Sequence, residues 1–508
     1  MTDPRPKHHH PADLSAPASP ASPGSTLLRD SGIYLLGNLL QKATAFVLIP
    51  LYTTRLTTAQ YGLLDLAGTV LNLGLLGAAL GVPAAINKCL HRDCKDEAER
   101  GRLLGTVLLF TSLSSAACAL LGWAFDASLA RLLFSGAEGL LVFRYTLVWL
   151  ILAQLSQIPF EYFRASGRSQ IYVALSLSQL LAQFACTIYL VAHRGWGLEG
   201  VLAGNLAGFL LVNIVGLAAL LPRVRFTVDR RLLRATITYG VAMTPVFVSG
   251  WVVNLSDRFF LQSFLGLGAL GVYALGYKFG ALVDLLLVMP FQRAWTPIFF
   301  RFASEPEAPR TLSRIATYLG AALAFATLGI SLAVPPFLRV SAAPEFRAAS
   351  GVVPLVGLAY LIGGLANCFG NGLIVAERVR LVAGYAAVAA VAKLGLNAIL
   401  IPLFGTAGAA LATALAFAIQ LGGILSSLGR YYPVQVEWGR LGGALAAAAV
   451  PLVVSLALPE MPLVAEVAIR LALLLSYPAL LILMRLPRPE EVAAATRLLS
   501  TRLIRRRI

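Results

Sequence analysis

Charge is what this chain has least of. Only 13% of its 508 residues are Asp, Glu, Lys or Arg, against 58% hydrophobic ones. A soluble domain carries about 25% charged residues, so the polar surface that would keep such a chain in water is missing. Cysteine is scarce too. Of the five, Cys118, Cys186 and Cys368 lie in apolar runs, where a thiol acts as a small hydrophobe. The other two, Cys89 and Cys94, bracket His91 in CLHRDC. These are too few ligands for a tetrahedral site, so the stretch reads as a basic loop and no metal is expected. No G-x-x-x-x-G-K-[ST] loop is present, which excludes an ATPase within the chain. The first 26 residues are rich in Pro, Ala and Ser and have no apolar core, so 1–26 reads as a disordered tail and not as a secretory signal.

What is present is apolar length. Mean hydropathy is +0.77, and apolar runs of about twenty residues, enough to cross a bilayer core, recur from end to end. The expected class is an all-α integral membrane protein; a β-barrel would alternate apolar and polar residues over short strands. Fourteen transmembrane helices are expected, at 31–53, 61–84, 103–125, 140–163, 169–192, 198–221, 235–256, 269–292, 315–334, 350–375, 380–402, 406–429, 441–459 and 463–484. Basic residues support that count. With both termini on the cytoplasmic side, 30 of the 41 Lys and Arg fall inside. Six fall outside (Arg55, Arg131, Arg194, Arg258, Arg339 and Arg347), and five lie within spans. This is a strong positive-inside asymmetry, which fits an inner, plasma-membrane protein. It accounts for the net charge of +17 without nucleic acid. The basic ending RLIRRRI is suited to rest on anionic headgroups.

The two halves repeat. LLRDSGIYLLGN at 27 is answered by LLRATITYGVAM at 232, AQYGLLDLA at 59 by ALGVYALGY at 269, and RGWGLEGVLAGNLAGFL at 194 by PLFGTAGAALATALAFA at 402. Six spans per unit give both halves the same orientation, related by an axis along the membrane normal. The expected organisation is an N-lobe at 27–221, a cytoplasmic linker at 222–234 and a C-lobe at 235–429. Two extra spans follow at 430–485, then a basic tail at 486–508.

LLRDSGIYLLGNLLQKATAFVLIPLYTTRLTTAQYGLLDLA resembles the opening of the polysaccharide flippases of the multidrug/oligosaccharidyl-lipid/polysaccharide exporter superfamily. Their pattern of a first amphipathic span followed by R-L-[TG]-x-x-x-Y-G-L is met by Arg55, Leu56, Thr57, Tyr61, Gly62 and Leu63. LSDRFFLQSFLGLGALGVYALGYKF at 255–279 is similar to the family's seventh span and its exit. The resemblance implies two pseudo-symmetric six-helix lobes around a central cavity open to one side at a time, with the last two helices appended.

Polar residues inside spans are the candidate site, since a charge at the bilayer centre costs about 2.5–3.5 kcal/mol on insertion scales. On the first span Lys42 borders a stripe of Tyr34, Asn38, Gln41 and Tyr52. Lys278 follows Tyr277, Lys393 lies one turn before Asn397, and Arg144 sits near the outer end of its span. Gln154, Gln157 and Glu161 share a helix face, and the second span offers Asp65 and Asn72. Gln179 with Gln183, and Asn367 with Asn371, fit interhelical hydrogen bonds equally well. Arg470 is expected to pair with Glu466.

Three central lysines and an arginine suit an anionic headgroup, with lysine a point charge and arginine a bidentate fork. Tyr34, Tyr52, Tyr273 and Tyr277 offer faces for sugar rings. Together with the resemblance, this implies a flippase moving undecaprenyl-diphosphate-linked oligosaccharide outward for O-antigen, capsule or exopolysaccharide synthesis. Membrane lipids and other export machinery are its expected partners. No cofactor is expected; Asp284 and Glu161 are the candidate groups for proton or sodium coupling. The lipid II flippase of peptidoglycan synthesis is the alternative within the superfamily. A membrane polymerase or ligase would need an extended outer loop with catalytic groups. The longest here, PPFLRVSAAPEFRAA, has no His, so a transporter is expected rather than an enzyme.

Overall fold

In hydrocarbon every backbone N–H and C=O must be paired within the protein, which leaves helices as the solution for a chain of apolar runs. The computed structural model describes residues 46–94, 96–459, 461–484 and 486, the side chains of residues 83 and 84 excepted, and every regular element among them is helical. The first lobe holds α1 (Ile49–Arg55), α2 (Thr58–Ala79), α3 (Val82–Arg92), α4 (Glu97–Ala124), α5 (Asp126–Leu133), α6 (Gly139–Ala165), α7 (Ser169–Ile188) and α8 (Gly197–Leu220). The second holds α9 (Arg230–Leu255), α10 (Asp257–Gly280), α11 (Met289–Phe302), α12 (Ala308–Ser341), α13 (Val353–Val375) and α14 (Val379–Tyr431). Then come α15 (Trp438–Leu456) and α16 (Leu463–Leu483).

Eleven continuous helical runs among the described residues are long and apolar enough to cross a membrane. Two of these, Arg230–Phe302 with 73 residues and Val379–Tyr431 with 53, are too long for one crossing. Left-handed glycines break them, Gly266 at φ 82° and Gly405 at φ 61°. Counting each as two gives thirteen crossings. The first expected span, 31–53, of which only the end is described, brings the total to fourteen.

The repeat is visible in the backbone. Gly197 and Gly405 hold equivalent places in it, and both are left-handed, at φ 53° and 61°. Three residues on, Gly200 and Gly408 both pack closely on the residues before them: a Cβ on Gly200 would lie 3.0 Å from a Val191 methyl, and one on Gly408 would lie 2.0 Å from the Leu400 carbonyl oxygen, leaving no room there for a methyl group. The lobes meet through reciprocal glycines. A Cβ on Gly62 of α2 would lie 2.3 Å from the Leu267 oxygen, and one on Gly271 of α10 would lie 1.9 Å from the Thr58 oxygen. Each glycine thus sits against a backbone carbonyl of the other helix. Thr57 fixes where α2 begins: its hydroxyl accepts from the Gln60 N–H at 3.2 Å, and Gln60 Oε1 accepts from the Thr57 N–H at 3.3 Å.

At the opposite end, which carries the basic loops, α2 stops at left-handed Leu80 and Gly81, and Gly81 packs on Gly240 of α9. The segment between the lobes is stapled to α4. Arg225 N–H donates to Gly101 O at 3.0 Å, and Thr106 Oγ1 donates to Thr227 O and accepts from Asp229 N–H, each at 3.0 Å. Arg231 pairs with Glu99 at 2.9 Å. Asp229 then caps α9, which contains Pro245. The appended helices lean on α12, where Tyr477 donates to Ala321 O at 2.8 Å and Glu466 bridges Arg339 and Arg470, each at 3.0 Å. The Glu466–Arg470 pair is the one expected from the sequence.

Candidate functional site: an amide-lined cavity between the lobes

Two cavities share one wall. The first, of 440 Å³, lies within the first lobe among α2, α6, α7 and α8. Its polar lining is Asn72, Ser156, Gln157, Glu161, Gln179 and Gln183, and Phe160, Tyr172 and Phe209 supply aromatic faces. The second, of 470 Å³, lies between the lobes, bounded by α2, α6 and α9. Asn72, Leu75, Gln157 and Glu161 line both. Thr244, Trp251 and Asn254 close the second cavity from the α9 side. Asn72 donates to Gly68 O at 2.7 Å, which anchors its amide to its own helix. Gln183 is hydrogen-bonded to Asn205 of α8. Glu161 is ion-paired with Arg164, whose side chain is 49% exposed and is not among the residues lining either cavity.

Behind Asn254 stands a buried ionic network. Arg258 is 2% exposed; it reaches Asp65 of α2 at 3.2 Å and Asp257 at 2.6 Å, and donates to Asn254 O at 2.7 Å. Its guanidinium lies 4.1 Å from the centre of the Tyr277 ring, at cation–π distance. The other oxygen of Asp257 accepts from Tyr273 at 2.5 Å and Lys393 at 3.2 Å. Lys393 is fully buried and also donates to the Val253 carbonyl at the end of α9. Two carboxylates thus meet two cations, which offsets the cost of placing them out of water. Tyr277 and Tyr360 hydroxyls lie 2.7 Å apart, and both reach Asn254 Oδ1, at 3.4 and 3.3 Å. Asn254 is therefore the link between this network and the cavity. Lys278 stands apart: its ammonium donates to the Tyr61 hydroxyl at 2.9 Å and lies 4.6 Å from that ring's centre.

Residues 27–303, more than half of the chain, match the family described as polysaccharide biosynthesis protein. The chain belongs to that family. Among solved structures, it is similar to one titled lipid II flippase MurJ, inward closed conformation. The TM-score is 0.69 at 13% identity, over 90% of this chain and 99% of that one. An inward-facing multidrug resistance MATE transporter of the MOP superfamily gives 0.62 at 13% identity, over 77% and 94%. The MATE transporter VcmN of Vibrio cholerae gives 0.53 at 14%, over 80% and 96%. At such identities the likeness is one of fold. No curated protein sequence matches the chain.

Of the expected site residues, the structure brings Asn72, Gln157 and Glu161 together at the cavity wall. Gln179 and Gln183, which the sequence suited equally to interhelical bonds, line it too. Lys42, Asn38 and Gln41 lie outside the described residues, as does Tyr34. Lys393, Tyr277 and Asn397 are buried behind the cavity; Asn397 donates to Ser256 Oγ at 3.4 Å. Gln154 is fully buried one position from the lining, its amide unbonded among the described residues. Arg144 pairs with Asp126 at 2.7 Å at the end away from the basic loops. Asp284 is half-buried in a π turn, Asp284–Val288, and is not among the residues lining either cavity.

Arg258 requires a correction. The sequence placed it among the six outside basic residues, because LSDRF reads as the polar exit of a span. In the structure it is the centre of the buried network. The signal was its neighbour: Asp257 supplies the counter-charge that lets the arginine turn inward.

Proposed function

We propose that the protein is a flippase for a polyprenyl-diphosphate-linked oligosaccharide, working between surface polysaccharide assembly steps on the two faces of a bacterial inner membrane. Membership in a polysaccharide biosynthesis family carries this reading, and a polar cavity between two membrane lobes supports it. The MurJ-like fold supports a lipid-linked cargo and keeps lipid II as the second reading. Loss of surface polysaccharide on depletion favours the first; lysis from failed wall synthesis favours the second.

In this reading the lobes rock about the cavity while the polyprenyl chain stays in the bilayer. The glycan meets the amides of Asn72, Gln157 and Asn254. The diphosphate is met by Lys42 and Lys278, the latter being bonded to a phenol rather than to a carboxylate. Glu161 is the proposed proton or sodium coupling group and Asp284 the alternative. Both termini face the cytoplasm, as the basic asymmetry favours. An interior-negative potential then drives an anionic headgroup outward with about 2.3 kcal/mol per charge per 100 mV. The test is the double variant Lys42→Ala/Lys278→Ala. It should insert normally and lose at least about tenfold in translocation, the loss of roughly 1.4 kcal/mol in binding its charge. Undiminished export by that variant would sink the assignment.

A further inference from the structure

The cavity inside the first lobe has a composition that the flippase reading does not by itself require. Its 440 Å³ fall within the usual range of small-molecule pockets. Four carboxamides from three elements face it: Asn72 of α2, Gln157 of α6, and Gln179 and Gln183 of α7. Among the residues described as lining it, the one charged group is Glu161; no lysine or arginine is there. A carboxamide presents donors and an acceptor on one side chain, and a carboxylate presents acceptors. Sugar hydroxyls both donate and accept, so this set matches a ring bearing several of them.

The apolar side of such a ring is matched as well. Phe160 and Tyr172 pack edge to face at 5.4 Å, and both line the cavity with Phe209 of α8. An acidic sugar fits badly. Its carboxylate would be placed near Glu161, whose partner Arg164 lies outside the lining and is already committed to it, so no lining cation receives the sugar's charge, and like-charge opposition is how a site rejects a competitor.

Resting on the flippase reading, we propose that this cavity is a subsite for an uncharged, hydroxyl-rich sugar of the glycan headgroup, and that Glu161 with Gln179 sets the discrimination against uronic acids. The diphosphate is held elsewhere, so the two ends of the headgroup are read by separate chemistries.

Purified protein is titrated in detergent micelles with short-chain prenyl-diphosphate trisaccharides that differ at one ring, a neutral hexose or the corresponding uronic acid. Tryptophan fluorescence reports binding, Trp251 lining the adjoining cavity. The neutral compound should bind at least about tenfold more tightly, equivalent to roughly 1.4 kcal/mol. Gln179→Lys, which adds a cation to the wall, should narrow or invert that ratio; Glu161→Gln should narrow it independently if the lysine variant does not fold. Equal affinities, or a ratio that neither variant moves, overturn the subsite. Flipping of both glycans by wild-type vesicles in that case leaves the flippase reading standing. Failure to bind or flip either compound overturns the flippase reading together with the subsite.

Discussion

At Asp257 one carboxylate receives Arg258 on one oxygen and both Lys393 and Tyr273 on the other. Removing a member of such a set leaves its partners charged and unpaired, at a cost of about 3–5 kcal/mol. Arg258→Ala should therefore lower the thermal midpoint of the detergent-solubilised protein sharply, by more than an exposed Arg131→Ala does. Cys89 and Cys94 behave oppositely to reactive thiols. They lie outside the spans, and burial pushes their thiols up to about 12 and about 11. Thiolate is the reacting form, so at pH 7.5 both should resist maleimide in the folded protein and label rapidly in denaturant, read by intact mass. At this scale the sequence was only partly legible. Gln157 and Glu161 could be assigned to a shared polar face from helical periodicity, and Asn72 was noted as a polar residue of the second span. Lys393 and Arg258 could not be placed, because the carboxylate each turns toward depends on tertiary packing that no local pattern encodes.

At the scale of elements, the glycines of the repeat have a definite mechanical role. Gly62 and Gly271 let α2 and α10 approach until backbone carbonyls fill the space of side chains. Gly62→Val should force the pair apart, overpacking of this kind costing about 1–3 kcal/mol or more. A Thr58→Cys/Gly268→Cys pair would register it. The Thr58 hydroxyl lies 3.4 Å from where a Cβ on Gly268 would stand, so the disulfide should form readily in wild-type background and poorly with Gly62→Val. Helix number and the repeat were legible because hydrophobic length and a recurring G-x-x-G leave marks on sequence. The reciprocal crossing was not, since Gly62 and Gly271 read as ordinary small residues until the two helices are brought together.

For the whole molecule, the two lobes and the appended α15–α16 pair follow from the span count and the internal repeat. The separation of a buried ionic network from an amide-lined cavity does not. A cationic cavity was expected from the central lysines, and among the described residues the cavity wall instead carries carboxamides and one carboxylate. The staple between the linker and α4 bears on how such a molecule moves. Because residues 225–231 are bonded to α4 and Gly240 packs on Gly81, the first three turns of α9 travel with the first lobe. Its last turns are held by α14 through Lys393, with one bond back to the first lobe, from Trp251 Nε1 to Thr69 O of α2 at 3.4 Å. The linker, short and basic though it is, is therefore tied to the first lobe, and flexure is expected inside α9, between Gly240 and Val253. Pro245 stands in that interval and cannot donate to the Val241 carbonyl, which makes it the compliant joint of the helix. Pro245→Ala should stiffen α9 and slow turnover in a flipping assay while leaving glycan affinity near the wild-type value; unchanged turnover would place the joint elsewhere.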